Sequence, residues 1–429
     1  MRYSDRNTEL KSEIINMHPD KNNAFIASNS RDEVDKHYEP VIGVARLMRL
    51  VESGADLSNL VNMAAYNPDD ANLLMNLSMV FQLTGNREVA FEIQAKALAM
   101  RRLYYLPAQT TPVTITMLAL MRPGDMMDNT PLDFLLEESG VALNLLYVST
   151  MHALPSDIPE HDVLFVAIGE SIENAPLLEK IGARLATWPR PVINLPDKIM
   201  QLSRDRLHTL LGTADGVDLP VTARIQRQPL IQIALGERTI TDFLGNDSFP
   251  IIIRPLDAHA GRDLKKLAQA SDLHDYLTGV KEDEFYVSRF IDYRSADGLF
   301  RKYRIAMIAG HPFACHMAIS EQWMVHYKHA GMSDSAEKRA EEALFMTNFD
   351  TAFAVRHAMA LHAIYERIGL DYFVIDCGET LEGRLLIFEL DNRGFVHAMD
   401  PVELFPYKQP VMKKLFKAFR TMLVQTVQP

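Results

Sequence analysis

The apolar positions of this chain change their spacing twice, near residue 107 and near residue 219. From Pro40, the runs VIGVARLMRLVESG, LSNLVNMAAY, ANLLMNLSMVFQLTGN and REVAFEIQAKALAMRRLYYL carry apolar residues three and four apart, which is the period of amphipathic helices. Between Pro107 and Asp218 the runs shorten to VTITMLAL, ALNLLYVST, DVLFVAIG and PVINLP, separated by helical segments such as APLLEKIGARLATW. Strand alternating with helix predicts a parallel sheet covered on both faces. From Leu219, FPIIIRPL, DEFYVSRFIDY, KYRIAMIAGHPFACHMAIS, LDYFVIDC and RLLIFEL read as strands joined largely by hairpin turns, with one long helical stretch from Ala336 to Ile368. That pattern predicts an α+β unit with a mainly antiparallel sheet. The expected organisation is multidomain: a loosely ordered polar lead-in (1–40), α-helical hairpins (41–106), an α/β domain (107–218) and an α+β domain (219–429).

Composition narrows the class. A chain of 429 residues suggests two or three domains, and 48% hydrophobic with 23% charged residues reads as soluble and globular. A net charge of −12 argues against charge-driven nucleic-acid binding. No apolar run reaches the roughly 18 to 20 residues that span a bilayer, and the start MRYSDRNTELKSEI lacks a signal-peptide core, so a cytoplasmic protein without membrane contact is expected. Cys315 and Cys377 sit in apolar runs and are expected to be buried free thiols. Gly124 and Gly169 stand alone, so no dinucleotide fingerprint follows any strand of the α/β region.

The last helical pair resembles one tetratricopeptide repeat, with Leu74, Leu77, Ser78, Phe81, Ala90 and Ala97 at packing positions and Gly85-Asn86 at the turn; an ordinary helical hairpin is the alternative. One such unit cannot bury its own face, so it is expected to stack on the preceding helices and on the next domain. Stacked helix pairs present a concave surface, which implies a peptide or protein partner, or equally a homodimer contact.

The chemistry concentrates in IGLDYFVIDCGETLEGRLLIFELDNRG. A two-residue turn at Glu382-Gly383 would place Leu381 opposite Arg384 and hence Asp376 opposite Glu389, about 5 Å apart on one face. Asp391 shares that face, two residues beyond Glu389. Three carboxylates on one spot require a cation between them or a retained proton, unless they are solvated at a sheet edge. Oxygen ligands without Cys or His favour Mg²⁺ or Mn²⁺.

This hairpin resembles the C-terminal metal-binding hairpin of the ATP-grasp superfamily, in which an acidic residue on one strand and Glu-x-Asn on the next hold magnesium against ATP. Asp376 and Glu389 match, while Asp391 stands in the Asn position with Asn392 immediately after, so the third ligand is Asp391 or Asn392. Upstream, PIIIRPLDAHAGRDLKK resembles the family's strand and phosphate loop, with Arg254 in place of the usual Lys and with Ala258, His259, Ala260 and Gly261 in the loop. FYVSRFIDY resembles the adenine-reading hinge and implies that Val287, Phe290 and Ile291 lie near the base. Lys302 and Arg304 fall on one face of a core strand, where basic residues reach phosphates, and His326 stands where Asn is common.

The resemblance implies an ATP-dependent ligase that joins a carboxylate to an amine through an acylphosphate, on small molecules or peptides, with ATP and Mg²⁺ (or Mn²⁺) as cofactors. In that reading Asp376, Glu389 and Asp391 hold the metal, Arg254 and Lys302 balance phosphate charge, Arg304 meets the acylphosphate or oxyanion, and Arg393 and His397 serve substrate carboxylate or proton transfer. Two alternatives remain open: a catalytically inactive nucleotide sensor or scaffold acting through the helical region, and a phosphotransferase using the same nucleotide site. A salt bridge for Arg393 and simple packing for His397 are the alternatives at those positions.

Overall fold

The computed structural model describes residues 40–152, 154–246, 248–256, 258 and 261–428. The expected lead-in, apart from Pro40, lies outside the described residues, as do His259 and Ala260. The helical region forms as four helices, Val44–Glu52, Ser58–Tyr66, Ala71–Leu83 and Arg87–Met100. Asp70 starts the third by accepting the amide hydrogens of Asn72 and Leu73 at 2.8 and 3.1 Å, and Gly85 makes the turn to the fourth at φ +82°. The shared apolar face, including Leu47, Leu77 and Ile93, packs onto Tyr104 and Tyr147 of the neighbouring sheet.

That sheet contains β1 (Leu103–Leu106), β2 (Ile115–Met121), β3 (Val141–Tyr147), β4 (Val163–Val166) and β5 (Val192–Ile193) in the order β1-β3-β2-β4-β5. It is parallel as expected, except for β1, which the sequence reading left with the helices and which pairs antiparallel with β3 at the edge. The ends of β2 and β4 carry the loops that reach the site described below.

Among the described residues nine more strands follow: β6 (Val217–Asp218), β7 (Thr222–Gln226), β8 (Ile251–Pro255), β9 (Lys265–Leu267), β10 (Glu284–Arg289), β11 (Phe300–Ile308), β12 (His311–Ser320), β13 (Tyr372–Glu379) and β14 (Leu385–Asp391). They divide into two sheets. The smaller, β7-β10-β8-β9, is antiparallel and has its own core around Ile253, Phe285 and Val287. The larger, β12-β11-β13-β14-β6, is antiparallel except for the short β14–β6 pair. One continuous core joins this larger sheet to the α/β sheet. The helix Lys408–Val427 links them, its Phe419 ring meeting Phe165 of β4 and Tyr372 of β13. The long helical stretch after Ala336 divides into Ala336–Thr347, Phe353–Arg356 and Ala358–Ile368.

The hairpin β13–β14 reaches the expected pairing by a different route. Its turn has three residues, Leu381 to Gly383, closed by Thr380 and Arg384 (N–H to O 3.0 Å), with Gly383 at φ +75°. That turn alone would slip the register by one. A bulge after Asp376 leaves Phe388 as the extra residue, so Cys377 faces Ile387 while Asp376 still faces Glu389. Cys315 and Cys377 are buried free thiols, and among the described residues no helix is long and apolar enough to cross a membrane.

Candidate functional site

A cleft of about 550 Å³ separates the small sheet from the larger one, with loops of the α/β region closing a third side. Strand alternation decides what faces it. Ile251 and Ile253 of β8 and Phe285 and Val287 of β10 fill the small core, so Ile252, Arg254, Tyr286 and Ser288 line the cleft. Val287 therefore presents no side chain to the site; Phe290 and Ile291, just past β10, do. On the opposite wall Lys302 and Arg304 of β11, Asp376 of β13 and Glu389 and Asp391 of β14 all face the cleft, together with Leu386, Ile387 and Phe388. Gly261 lies across from His326, whose Nε2 would stand 3.5 Å from a Cβ at that position.

The carboxylates share the cleft, but each has its own cation. Asp376 receives Lys302 Nζ at 2.7 Å and Arg304 through Nε and Nη2 at 2.8 and 2.9 Å. Burial alone would raise the Asp376 carboxyl; Arg304 and then Lys302 outweigh it and hold the group well below the usual carboxylate range. Arg304 spends its remaining terminal nitrogen on the Phe395 carbonyl at 3.0 Å. Glu389 meets Arg204 Nη2 at 2.6 Å; against the opposing effect of burial, Arg204 and Arg254 bring its carboxyl down to about 2. Asp391 accepts from the backbone N–H of Arg393 at 2.9 Å and from its Nε at 3.3 Å. Among the described residues no three His, Cys, Asp or Glu side chains are grouped to hold a metal ion.

Asn392 points the other way. Fully buried, it donates from Nδ2 to the Ile168 carbonyl at 3.0 Å and accepts from the Glu170 N–H at 3.3 Å, pinning β14 to the α/β region. Its amide is committed there, so of the two residues left open as third ligand only Asp391 lines the cleft.

Arg254 is the exception to this pairing. Its Nε is buried with no hydrogen-bond partner among the described residues. Burial, followed by repulsion from Arg204, lowers the guanidinium to about 10. A buried cation with an unmet donor is costly unless an anion completes it.

Arg393 bridges Asp391 and Asp128, the latter at 3.8 Å, and runs so close to Gly169 that a Cβ there would fall 2.3 Å from Arg393 Cδ. The lone glycine of DVLFVAIG is thus a close-approach position. His397 does not line the cleft: its ring packs on Phe395 with centroids 4.7 Å apart, its Nδ1 accepts from Met399 N–H at 3.2 Å, and burial pushes it down to about 4. The packed histidine is what the structure contains.

Three contributors from the α/β region escaped sequence reading. Arg204 opens the helix Arg204–Leu211 and also donates to the Phe388 carbonyl at 2.8 Å. Asp128 lines the cleft beside Arg393, and Glu170 sits between Arg393, Asp391 and Arg204 with its carboxyl pushed up to about 7, chiefly by burial. Gly169 and Glu170 follow β4, where open α/β sheets place ligands, and that position was the available signal. Nothing in the sequence marked Arg204.

No family model matches the chain, and no curated protein matches it. Solved structures do. An ATP-grasp RimK-domain protein from Sphaerobacter thermophilus aligns at 16% identity and a TM-score of 0.43, covering 72% of this chain and 99% of that one. The VanG D-Ala:D-Ser ligase from Enterococcus faecalis aligns at 10% identity and a TM-score of 0.43, again over 72% and 99%.

Proposed function

We propose that the cleft binds ATP and that the protein is an ATP-dependent ligase joining a carboxylate to an amine through an acylphosphate. The observation that carries this reading is Arg254, a largely buried guanidinium in the cleft wall whose Nε finds no acceptor among the described residues and would be completed by an anionic ligand. Ile252, Leu219, Leu386 and Phe388 supply an apolar slot for the base, beside Phe290 and Ile291. Arg254 and Lys302 take the phosphates, with Lys302 exchanging one Asp376 oxygen for a phosphate oxygen.

The all-oxygen donor set suits Mg²⁺, which is usually held by one or two carboxylates and completed by phosphate and water. Glu389 and Asp391 are the residues that would hold it, because Asp376 is already neutralised by two cations. When bound, the ion neutralises β and γ phosphate charge. In the reaction the substrate carboxylate attacks the γ-phosphoryl group and ADP leaves; the amine then attacks the acyl carbon, and phosphate leaves, taking up the proton the amine loses. Arg393 holds the carboxylate end of the substrate, and Arg304, whose donors are taken by Asp376 and the Phe395 carbonyl, positions that segment of the wall beside the reacting group.

Titration calorimetry with ATP, with and without Mg²⁺, on the native chain and on Arg254→Met tests the site. Tight binding that needs Mg²⁺ and weakens in the variant supports the reading, and equal binding by both chains removes it. Phosphate released together with ADP supports a ligase, whereas phosphate retained on the acceptor identifies a phosphotransferase. The closed Asp376–Lys302–Arg304 group favours one second reading, a nucleotide sensor that binds ATP and makes no ADP.

A further inference from the structure

A second cavity, of about 70 Å³, lies between the helical region and the α/β sheet. Leu47, Met48, Met75, Met79, Met121 and Met126 dominate its wall. Asp125, Met127 and Phe395 line both this cavity and the nucleotide cleft, so the two spaces adjoin at the end of the cleft away from the small sheet. The helices thus build a pocket on the site as well as packing against the sheet.

Among the described residues, several of its polar groups are satisfied. Asn76 Oδ1 accepts from Ile42 N–H at 2.9 Å, Gln94 bonds both the N–H and the carbonyl of Gly124, and Asp133 Oδ2 accepts from Ala45 N–H at 2.7 Å. Tyr104, only 1% exposed, has a hydroxyl with no hydrogen-bond partner among the described residues. An orphaned buried hydroxyl costs on the order of 1–3 kcal/mol, and an apolar void beside it adds to the cost. On this scale a water needs roughly 10–15 Å³ and two to four polar partners; the space suffices for several waters, but the methionine walls offer them almost nothing. Thioether side chains adapt their shape to apolar guests.

We propose that this cavity receives an apolar side chain or short alkyl chain of the substrate, ending in a group that hydrogen-bonds the Tyr104 hydroxyl. The proposal rests on the ligase reading of the cleft and assigns that reading a substrate class: an acid or amine whose apolar tail leaves the reacting group beside Arg393 and Phe395. Larger or charged tails do not fit.

The test uses methyl-labelled methionine in the full chain, with 1-hexanol as the probe. Saturable shifts at Met48, Met75, Met79 and Met121 are expected, lost in Met79→Trp, which fills the space. Tyr104→Phe should leave the fold as stable or more stable and weaken hexanol about five-fold, through loss of one hydrogen bond. Absent shifts, shifts that persist in Met79→Trp, or contacts from these methyls to residues 1–39 of the chain would overturn the proposal. Should Met79→Trp fail to fold, the affinity change in Tyr104→Phe decides alone. Mg²⁺-ATP binding, followed in the same samples, separates the two failures. Hexanol binding without ATP binding removes the ligase reading and with it the substrate assignment, whereas ATP binding without hexanol binding removes only the pocket.

Discussion

The two sheets that face each other across the cleft treat charge in opposite ways. On the larger sheet each carboxylate that faces the cleft already has a cation, and Asp376 has two. On the smaller sheet Arg254 carries a buried donor with no partner among the described residues. A closed ion group holds a fold together and must be partly opened before it can serve a ligand, whereas an unmatched charge destabilises the empty protein and strengthens binding. The larger wall is therefore expected to dominate stability and the smaller wall affinity.

Asp376→Asn should show the largest effect, about 3–5 kcal/mol of lost stability in urea unfolding, because Lys302 and Arg304 would be left without their counterion. A loss under 1 kcal/mol would mean that solvent screens the group. Gly169→Ala comes next, at about 1–3 kcal/mol, since the new methyl must displace Arg393; unchanged stability would show that Arg393 moves freely. Arg254→Met should reverse the pattern, keeping or raising stability while weakening Mg²⁺-ATP about ten-fold or more, an effect of roughly 1.4 kcal/mol per decade.

The smallest expected effect is on pH dependence. Glu170 titrates at about 7 in the folded chain against 4.5 as its ordinary value. Its folded pKa is raised, so folding takes up a proton between these values. Its contribution to stability is greatest below about pH 4.5, declines as pH rises to about 7, and is constant above that. Glu170→Gln should remove this slope from a series of melts. Glu389, brought down to about 2, acts oppositely and loses its contribution only as pH falls below about 4.5. The slope persisting in Glu170→Gln would assign it to another group.

Local period was the legible part of the sequence. Alternation placed Lys302 with Arg304 and Glu389 with Asp391 on shared faces, and it brought Asp376 opposite Glu389 even though the turn differed, because the bulge at Phe388 offsets the extra turn residue. Alternation also decides the Val287 side chain: the same period that turns Tyr286 and Ser288 to the cleft turns Val287 into the small core, leaving only its backbone for the hinge. What crosses between regions was not legible. Arg204 reaches Glu389 across 185 positions, and Asn392 reaches Ile168 across 224, distances at which sequence spacing says nothing about contact. His397 reads as catalytic because it follows β14, but the chain turns it onto Phe395.

The small sheet keeps its hydrophobic core apart from the one that joins the other two sheets. A unit with a private core can swing or unfold as one cooperative block while the rest stays intact. The wall carrying Arg254 can therefore act as a jaw, and the gap it guards can widen without exposing the methionines, phenylalanines and valines that hold the remainder of the molecule together.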